Sequence, residues 1–176
     1  APVPDENCLF LNVWRPSVGN NSLASAVAKL PVLVWIHGGG FCAGTGSEKW
    51  FDGARLASNA QEPHIVVTLN YRLGPLGFFV RDESGTGGAN GINDQVAALR
   101  WLHDNVESFG GDPARVTVFG QSAGGMSVCV LSVSPRARGL FRRAIVESGP
   151  CIDERGWGPG SAATGRKYSK MILAAH

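Results

Sequence analysis

Apolar residues recur along the chain with the two periods that distinguish strands from helices. Short apolar runs rich in β-branched residues predict strands, and these runs cover residues 8–14, 30–36, 65–70, 116–119 and 141–146. Helical spacing predicts a long helix over residues 90–109, which two glycines at 110 and 111 end. The apolar residues that set this spacing are Val96, Leu99, Leu102 and Val106.

The remaining segments lie between these elements or follow them. Residues 50–57 predict a short helix, residues 71–79 a turn-rich loop, and residues 126–133 an apolar, buried helix. After the last strand, residues 153–165 predict a glycine-rich loop and residues 166–175 the start of a helix. Strands that alternate with helices imply right-handed crossovers, so we expect an α/β fold with a mostly parallel sheet.

Composition narrows the class of protein without selecting a function. The chain has 176 residues, 44% of them hydrophobic and 17% charged, which is typical of a globular domain. No repeat or linker divides the sequence, so one domain over residues 1–176 is expected. A net charge of +2 gives no reason to expect nucleic acid or an anionic membrane as a partner. The longest apolar run, residues 30–36, is too short to span a bilayer.

One motif points to a specific chemistry. Gly120-Gln121-Ser122-Ala123-Gly124 follows a predicted strand and precedes an apolar helix, which is the context of a nucleophile elbow. Such a tight turn leaves no room for side chains two positions either side of the serine, where the glycines stand. Ser122 is therefore the predicted nucleophile, at the end of a parallel strand and above the positive end of a helix. Without that context, the pattern would indicate an ordinary Gly/Ser turn.

A second motif, the glycine loop His37-Gly38-Gly39-Gly40, closes the predicted strand at 30–36. Glycines leave backbone N–H groups bare, so that they can approach a ligand closely. In acyl transfer, each such donor stabilises the oxyanion of the tetrahedral intermediate by about 2.7–4 kcal/mol. The N–H groups of Gly39, Gly40 and Ala123 are therefore the predicted oxyanion hole. The alternative for three successive glycines is a flexible loop without a chemical role.

The four cysteines do not form a recognisable site. Their spacing fits neither a zinc site nor a Cys-x-x-Cys redox pair, and the residues are Cys8, Cys42, Cys129 and Cys151. Cys129 lies inside the apolar helix after the elbow and is predicted to be a buried, inert thiol. The pairing of the other three stays open.

Several stretches together resemble the type-B carboxylesterase, cholinesterase and lipase family of α/β-hydrolases. These stretches are residues 5–13, 34–41, 70–74, 91–95, 109–113 and 119–125. The resemblance implies an α/β-hydrolase-type fold, a mostly parallel sheet with flanking helices. It also implies that Ser122 is the nucleophile and that Gly39, Gly40 and Ala123 form the oxyanion hole.

The resemblance has further implications away from the serine. Arg72 is expected to pair with Asp94 as a structural salt bridge near the sheet, and Cys8 to form a family disulfide whose partner precedes residue 1. Two positions depart from the family pattern. Asn7 replaces the acidic residue that usually precedes this cysteine, and Gln121 stands where the best-known cholinesterases carry Glu. The second departure argues against a choline-specific site.

The family's catalytic acid and histidine lie far downstream of the elbow, and no stretch of this chain matches either. The histidines present are interpreted as structural or surface residues: His37, His64, His103 and His176. We therefore expect an incomplete catalytic domain, truncated after the elbow region, that carries the nucleophile and oxyanion hole without the rest of the triad.

The expected function is hydrolysis of small-molecule carboxylic esters through an acyl-enzyme on Ser122, with no metal or organic cofactor. The alternatives are a non-catalytic, cholinesterase-like adhesion module and an inactive truncated product. Secretion or the ER lumen is favoured only by the expected disulfide of Cys8, and the cytoplasm is the alternative. Acyl and alcohol preference and oligomeric state stay open. Four aromatic residues are interpreted as packing residues, with an apolar substrate gorge as the alternative: Trp50, Phe51, Phe78 and Phe79.

Overall fold

The computed structural model describes residues 7–16, 29–58, 61–80, 87–151 and 170. Within them lie five strands: β1 (Leu11–Trp14), β2 (Leu30–Ile36), β3 (Ile65–Leu69), β4 (Gly111–Gln121) and β5 (Arg143–Glu147). The α-helices there are α1 (Ala54–Ala57), α2 (Gly74–Phe78), α3 (Asn90–Asn105) and α4 (Ala123–Val133). Short 3-10 turns cover Lys49–Phe51, Val106–Phe109 and Pro135–Ala137. The predicted loop at 153–165 and, apart from Lys170, the predicted helix at 166–175 lie outside the described residues.

The strands form one sheet in the order β1-β3-β2-β4-β5. β1 runs antiparallel to β3, whereas β3, β2, β4 and β5 run parallel to one another. In this register, Val34 of β2 lies between Val67 of β3 and Val118 of β4. The prediction of a mostly parallel sheet with flanking helices is confirmed. The carboxyl ends of four strands consequently meet at one edge, which is where α/β folds bind ligands.

One face of the sheet forms the core. Side chains alternate along each strand, so Val32, Val34 and Ile36 of β2 all point to the same face. These three residues are fully buried, and Leu99 of α3 and Leu131 of α4 belong to the same apolar cluster. The core therefore lies between the sheet and the helices α3 and α4.

The opposite face of the sheet is aromatic and more open. Trp35 packs between Phe51 and Phe119, with ring centroids 5.1 and 4.9 Å away, beside a groove of about 690 Å³. Elsewhere, Phe78 packs on Phe41 with centroids 4.8 Å apart. These contacts favour packing as the role of Phe51 and Phe78, whereas Trp50 is 84% exposed and the packing role predicted for it is wrong.

Most predicted elements are present, although β4 begins at Gly111, well before the predicted strand at 116–119, and β1 begins at Leu11, after the predicted start at residue 8. β2 spans the predicted residues 30–36, and the predicted helix at 90–109 is divided into α3 and the 3-10 turn Val106–Phe109. Gly110 follows this turn in the left-handed conformation, with φ of 86°, and ends the helix as predicted. The predicted helix at 50–57 is likewise divided between Lys49–Phe51 and α1.

The loop predicted over residues 71–79 is wrong in part, because it contains α2. The N–H groups of Gly77 and Phe79 donate to the carbonyls of Leu73 and Pro75, at 3.2 and 3.0 Å. Pro75 lies in the first turn, where its missing N–H removes no helical hydrogen bond. Glycine and proline, which usually mark loops, are here compatible with one turn of helix.

The interpretation of Cys129 as an inert thiol is also wrong. Cys129 of α4 forms a disulfide with Cys151, and their Cα atoms are 5.3 Å apart. The chain that leaves β5 turns back along α4 and so brings Cys151 to the helix. Cys8 is half-buried and Cys42 exposed, and neither is bonded to another described cysteine. The family disulfide expected for Cys8 stays a prediction.

Candidate active site

Ser122 occupies the turn between β4 and α4, at the edge where the parallel strands end. Its backbone has φ of 56° and ψ of −122°, a conformation that a residue with a side chain rarely adopts. Two hydrogen bonds hold the turn: the Ser122 N–H donates to the Glu147 carbonyl at 2.8 Å, and the Ser122 carbonyl accepts from Met126 N at 2.9 Å. The predicted strand, tight turn and helix are therefore all present.

The glycines of the elbow are required by close backbone packing. A Cβ at Gly124 would stand 2.0 Å from the carbonyl oxygen of Ile36. A Cβ at Gly120 would stand 2.6 Å from the carbonyl carbon and oxygen of Gly124 and 2.8 Å from the same Ile36 oxygen. The steric role predicted for both glycines is confirmed, and the end of β2 is the surface against which the elbow packs.

The glycine loop follows β2 and lies directly beside the elbow. A Cβ at Gly38 would be 2.8 Å from the Gln121 carbonyl oxygen and 3.3 Å from Ser122 Cβ. Gly39 and Gly40 have φ of 105° and 62°, which favour glycine at both positions. The loop therefore turns away from the strand immediately next to the serine side chain.

Three backbone donors in this region are unpaired within the described part of the chain. The N–H groups of Gly39, Gly40 and Ala123 donate to no acceptor there. Ala123 is the first residue of α4, where the helix leaves its N–H groups unsatisfied and carries partial positive charge. Unpaired donors beside a hydroxyl suit an oxygen atom that gains negative charge.

The side chains of His37 and Tyr71 contact the backbone at the start of the glycine loop. The two rings stack with centroids 4.5 Å apart, and the Tyr71 hydroxyl donates to the His37 carbonyl at 2.8 Å. His37 Nδ1 lies 2.8 Å from the Gly38 carbonyl oxygen. Burial lowers the pKa of His37 and raises the pKa of the Tyr71 phenol, since it disfavours the charged form of each. Both are therefore neutral groups that position backbone, as interpreted for His37.

The segment after β3 makes further contacts with this loop region. Asn70 Oδ1 accepts from Thr45 Oγ1 at 3.0 Å and from Gly46 N at 2.8 Å. The N–H of Gly74 donates to the Phe41 carbonyl at 2.7 Å. Side-chain and backbone groups of residues 70–74 thus fix the chain that continues from the glycine loop.

The predicted salt bridge between Arg72 and Asp94 is present. Arg72 Nη2 and Nε lie 2.7 and 2.8 Å from Asp94 Oδ1 and Oδ2, and Arg72 N donates to Oδ2 at 3.0 Å. The carboxylate side chain is only 7% exposed. The hydrogen bond to Asp94 raises the pKa of the Arg72 guanidinium, so Arg72 stays charged. The pair joins the segment after β3 to α3.

No histidine nitrogen hydrogen-bonds to the Ser122 hydroxyl in the described part of the chain. His64 precedes β3, at the opposite end of the sheet from Ser122, and its Nδ1 lies 2.7 Å from the Glu62 carbonyl oxygen. His103 is exposed on α3. His176 lies outside the described residues. These positions agree with structural or surface roles for His64 and His103.

Sequence reasoning missed the partners that hold the site. The Glu147 carbonyl and the Tyr71 hydroxyl come from segments that carried no catalytic motif. Gly149 carries no prediction from the sequence, although a Cβ there would stand 2.6 Å from the Ser122 carbonyl oxygen. The pattern Glu-Ser-Gly directly after a predicted strand was the available signal of a second tight turn.

The residues that the structure describes contain no cluster of three or more His, Cys, Asp or Glu side chains placed to hold a metal ion. Among their helices, none has both the length and the apolar character needed to cross a membrane.

The fold and the tight turn at Ser122 define the class of protein, an α/β-hydrolase. The sequence profile described as "Carboxylesterase family" matches residues 2–172, and the chain belongs to that family. A carboxylesterase of Geobacillus stearothermophilus has a similar structure, with a TM-score of 0.82 and 42% identity over 97% of this chain and 34% of its own.

Curated relatives agree with this assignment. The chain is 50% identical to para-nitrobenzyl esterase of Bacillus subtilis over 150 residues, 84% of this chain and 29% of the relative. It is 52% identical to carboxylesterase 1D of Mus musculus over 145 residues, 82% of this chain and 24% of the relative. It is 43% identical to cholinesterase 1 of Branchiostoma lanceolatum over 95% of this chain and 44% of the relative. The chain thus spans about a quarter to under a half of these relatives' lengths.

Proposed function

We propose that this chain is the part of a carboxylic ester hydrolase that carries its serine nucleophile and oxyanion hole. One observation carries the proposal: Ser122 lies on a strained turn beside the glycine loop, and the N–H groups of Gly39, Gly40 and Ala123 have no acceptor in the described part of the chain. Family membership supports ester chemistry, since the relatives are named as esterases. Residues 1–176 are accordingly part of a catalytic domain that further sequence completes.

The proposed reaction proceeds through an acyl-enzyme. The Ser122 hydroxyl oxygen attacks the ester carbonyl carbon, and the carbonyl oxygen, now an anion, accepts hydrogen bonds from the three backbone N–H groups. The intermediate collapses, the alcohol leaves with a proton, and water then releases the acid. A general base must take the serine proton, and we assign it to a histidine outside the described residues.

Small-molecule carboxylic esters are the proposed substrates. Relatives named para-nitrobenzyl esterase and carboxylesterase support this class, and another is named cholinesterase. Gln121, directly before the nucleophile, argues against a choline ester because the best-known cholinesterases carry Glu there. No metal or organic cofactor takes part in the proposed steps.

An oxidising compartment, outside the cell or in the ER lumen, is the proposed location. The disulfide between Cys129 and Cys151 supports it, because disulfides persist in such compartments and are rare in the cytosol. This observation replaces the expected disulfide of Cys8 as the main support.

Labelling with a fluorophosphonate probe tests the proposal. The chain is compared with Ser122→Ala and with the matched variant Ser132→Ala. In the wild type, the Ser132 hydroxyl donates to the Val128 carbonyl within α4. Because the general base is assigned outside the described residues, we expect slow covalent labelling of the wild type and of Ser132→Ala, and none of Ser122→Ala. A folded wild-type chain that resists the probe would contradict activity in this chain. The adhesion module and the inactive product would then be the better interpretations.

A further inference from the structure

The segment that leaves β5 holds the nucleophile turn from one side. Glu147, the last residue of β5, accepts the hydrogen bond from Ser122 N at 2.8 Å. A Cβ at Gly149 would stand 2.6 Å from the Ser122 carbonyl oxygen and 2.9 Å from Met126 N. Ser148 between them has φ of 50°, so the chain bends sharply at this contact. The position of Ser122 therefore depends on residues 147–149.

This segment has little packing of its own. Every residue of β5 is exposed, and β5 pairs only with β4 among the described strands. Ser148 is exposed as well. An edge with few buried apolar contacts opens locally at low cost in free energy. Residues 147–149 are therefore held against the elbow by close backbone packing and one hydrogen bond, at an edge that is exposed in the described part of the chain.

A covalent bond lies next to this exposed contact. Cys151 follows Gly149 by two residues and is joined to Cys129 in α4, the helix that begins at the elbow. The bond closes a loop with a sequence separation of 22, which includes the whole of β5. Ser122 directly precedes α4, and Cys151 is bonded to the same helix. Residues 147–149 therefore have little freedom to move away from Ser122.

We propose that the Cys129–Cys151 disulfide positions Ser122, and that its reduction lowers the reactivity of this serine. The chemical part of the inference rests on the proposed function, whereas the effect on the backbone does not. Cys129 and Cys151 are positioning residues, because they act on the serine through the backbone of residues 147–149.

The reductant is a dithiol, which reduces the bridge in two successive thiol–disulfide exchanges. One thiolate of the dithiol attacks a sulfur of the bridge and forms a mixed disulfide, releasing the other cysteine as a thiolate. The second thiol then displaces the remaining cysteine. Two electrons pass to the protein, both cysteines end as protonated thiols, and the dithiol ends as a disulfide. Exposure of Cys151 gives the reductant access.

Hydrogen–deuterium exchange followed by mass spectrometry tests the effect on the backbone. The samples are the oxidised chain, the same chain treated with dithiothreitol, and Cys129→Ala/Cys151→Ala. We expect peptides that cover residues 119–126 and 143–149 to exchange roughly tenfold faster in the last two, with β2 and β3 unchanged. Unchanged exchange at the elbow overturns the inference. A uniform increase across the whole sheet also overturns it, since that indicates only a general loss of stability.

Cys42→Ala is the matched control, because Cys42 is an exposed thiol outside the bridge. It should respond to dithiothreitol like the wild type, whereas the double variant should not respond. In the same samples, opening the bridge should lower the maximal rate of fluorophosphonate labelling about 10- to 100-fold without changing the probe's affinity, and oxidised glutathione should restore it. Equal labelling in all forms overturns the inference. If the exchange pattern appears but the oxidised chain is not labelled, the proposed ester chemistry fails and the positioning role of the bridge stands.

Discussion

The two turns that form the candidate site are stabilised in different ways. The elbow is held by contacts between backbone atoms, since a Cβ at Gly124 would stand 2.0 Å from the Ile36 oxygen. The glycine loop is held mainly by side chains from the segment after β3, including Asn70 and Tyr71. At Gly40, a Cβ would meet nothing within 4 Å. Both turns contain glycines with no room for a Cβ, as at Gly39, where it would stand 2.1 Å from the Ala43 carbonyl oxygen. The glycine loop depends in addition on hydrogen-bonding groups that can be removed.

This difference predicts the largest effect for Gly124→Ala. The added methyl group meets a backbone carbonyl that cannot move without displacing β2, so we expect a loss of about 4 kcal/mol or more in the free energy of unfolding. Urea denaturation measures it. Gly139→Ala is the control, because Gly139 has φ of 81° but open space around it, and only conformational strain of about 1–2 kcal/mol is expected. Equal losses in both variants would contradict the steric argument.

Asn70→Ala should have the next largest effect. The substitution removes the acceptor for Thr45 Oγ1 and Gly46 N, and the donor to the Cys8 carbonyl at 3.0 Å. Partly buried groups lose their partners, so a loss of about 2–3 kcal/mol in unfolding free energy is expected. The control is Asn105→Ala, which removes one exposed hydrogen bond to the Trp101 carbonyl. A loss no greater than that of this control would show that Asn70 does not hold the loop.

Tyr71→Phe should have a smaller effect on the same loop. The ring that stacks on His37 is retained, and only the buried hydrogen bond to the His37 carbonyl is lost. We expect a loss of about 1–2 kcal/mol, measured by thermal or urea unfolding. Ser132→Ala is a suitable comparison, because it removes the hydrogen bond from the Ser132 hydroxyl to the Val128 carbonyl within a helix. If both deletions are equally mild, the Tyr71 contact does not stabilise the loop.

The smallest expected effect is on the pH dependence of the free energy of unfolding. Burial lowers the pKa of His37 below its ordinary value of 6.5, and the hydrogen bond to the Gly38 carbonyl and the charge of Glu48 oppose this shift only in part. The unfolded chain therefore binds a proton that the folded chain does not, and stability falls as the pH is lowered from about 6.5 through the lower, folded-state pKa. His37→Asn cannot titrate there, so its unfolding free energy should depend less on pH between about 5 and 7. Parallel pH profiles for the two proteins would exclude His37 as a source of the dependence.

Sequence patterns predicted the parts of the molecule that local chemistry determines. The apolar run at 30–36 is long, β-branched and bounded, so β2 has the predicted ends. Gly120 and Gly124 were correctly interpreted because the turn itself requires glycine. Chemical roles for Ser122, Gly39, Gly40 and Ala123 depend on reactivity, and they stay proposals until labelling is measured.

Parts that depend on tertiary contacts could not be predicted. Nothing near Cys129 indicates that Cys151 returns to it, because that approach results from the packing of α4 along β5. The Glu147 carbonyl is a backbone group, and backbone groups have no signature in the sequence. These two contacts join segments that are distant in sequence, so neither segment alone predicts them.

The place of β5 at the end of the strand order also affects how the protein is made. Ser122 is added to the growing chain before α4 and β5 are synthesised, so at that point the acceptor for its N–H does not yet exist. Folding during synthesis proceeds from the amino-terminal part of the chain. A nascent chain that stops before Glu147 therefore carries the serine without its ordered turn. The nucleophile is assembled only after translation has passed the last described strand.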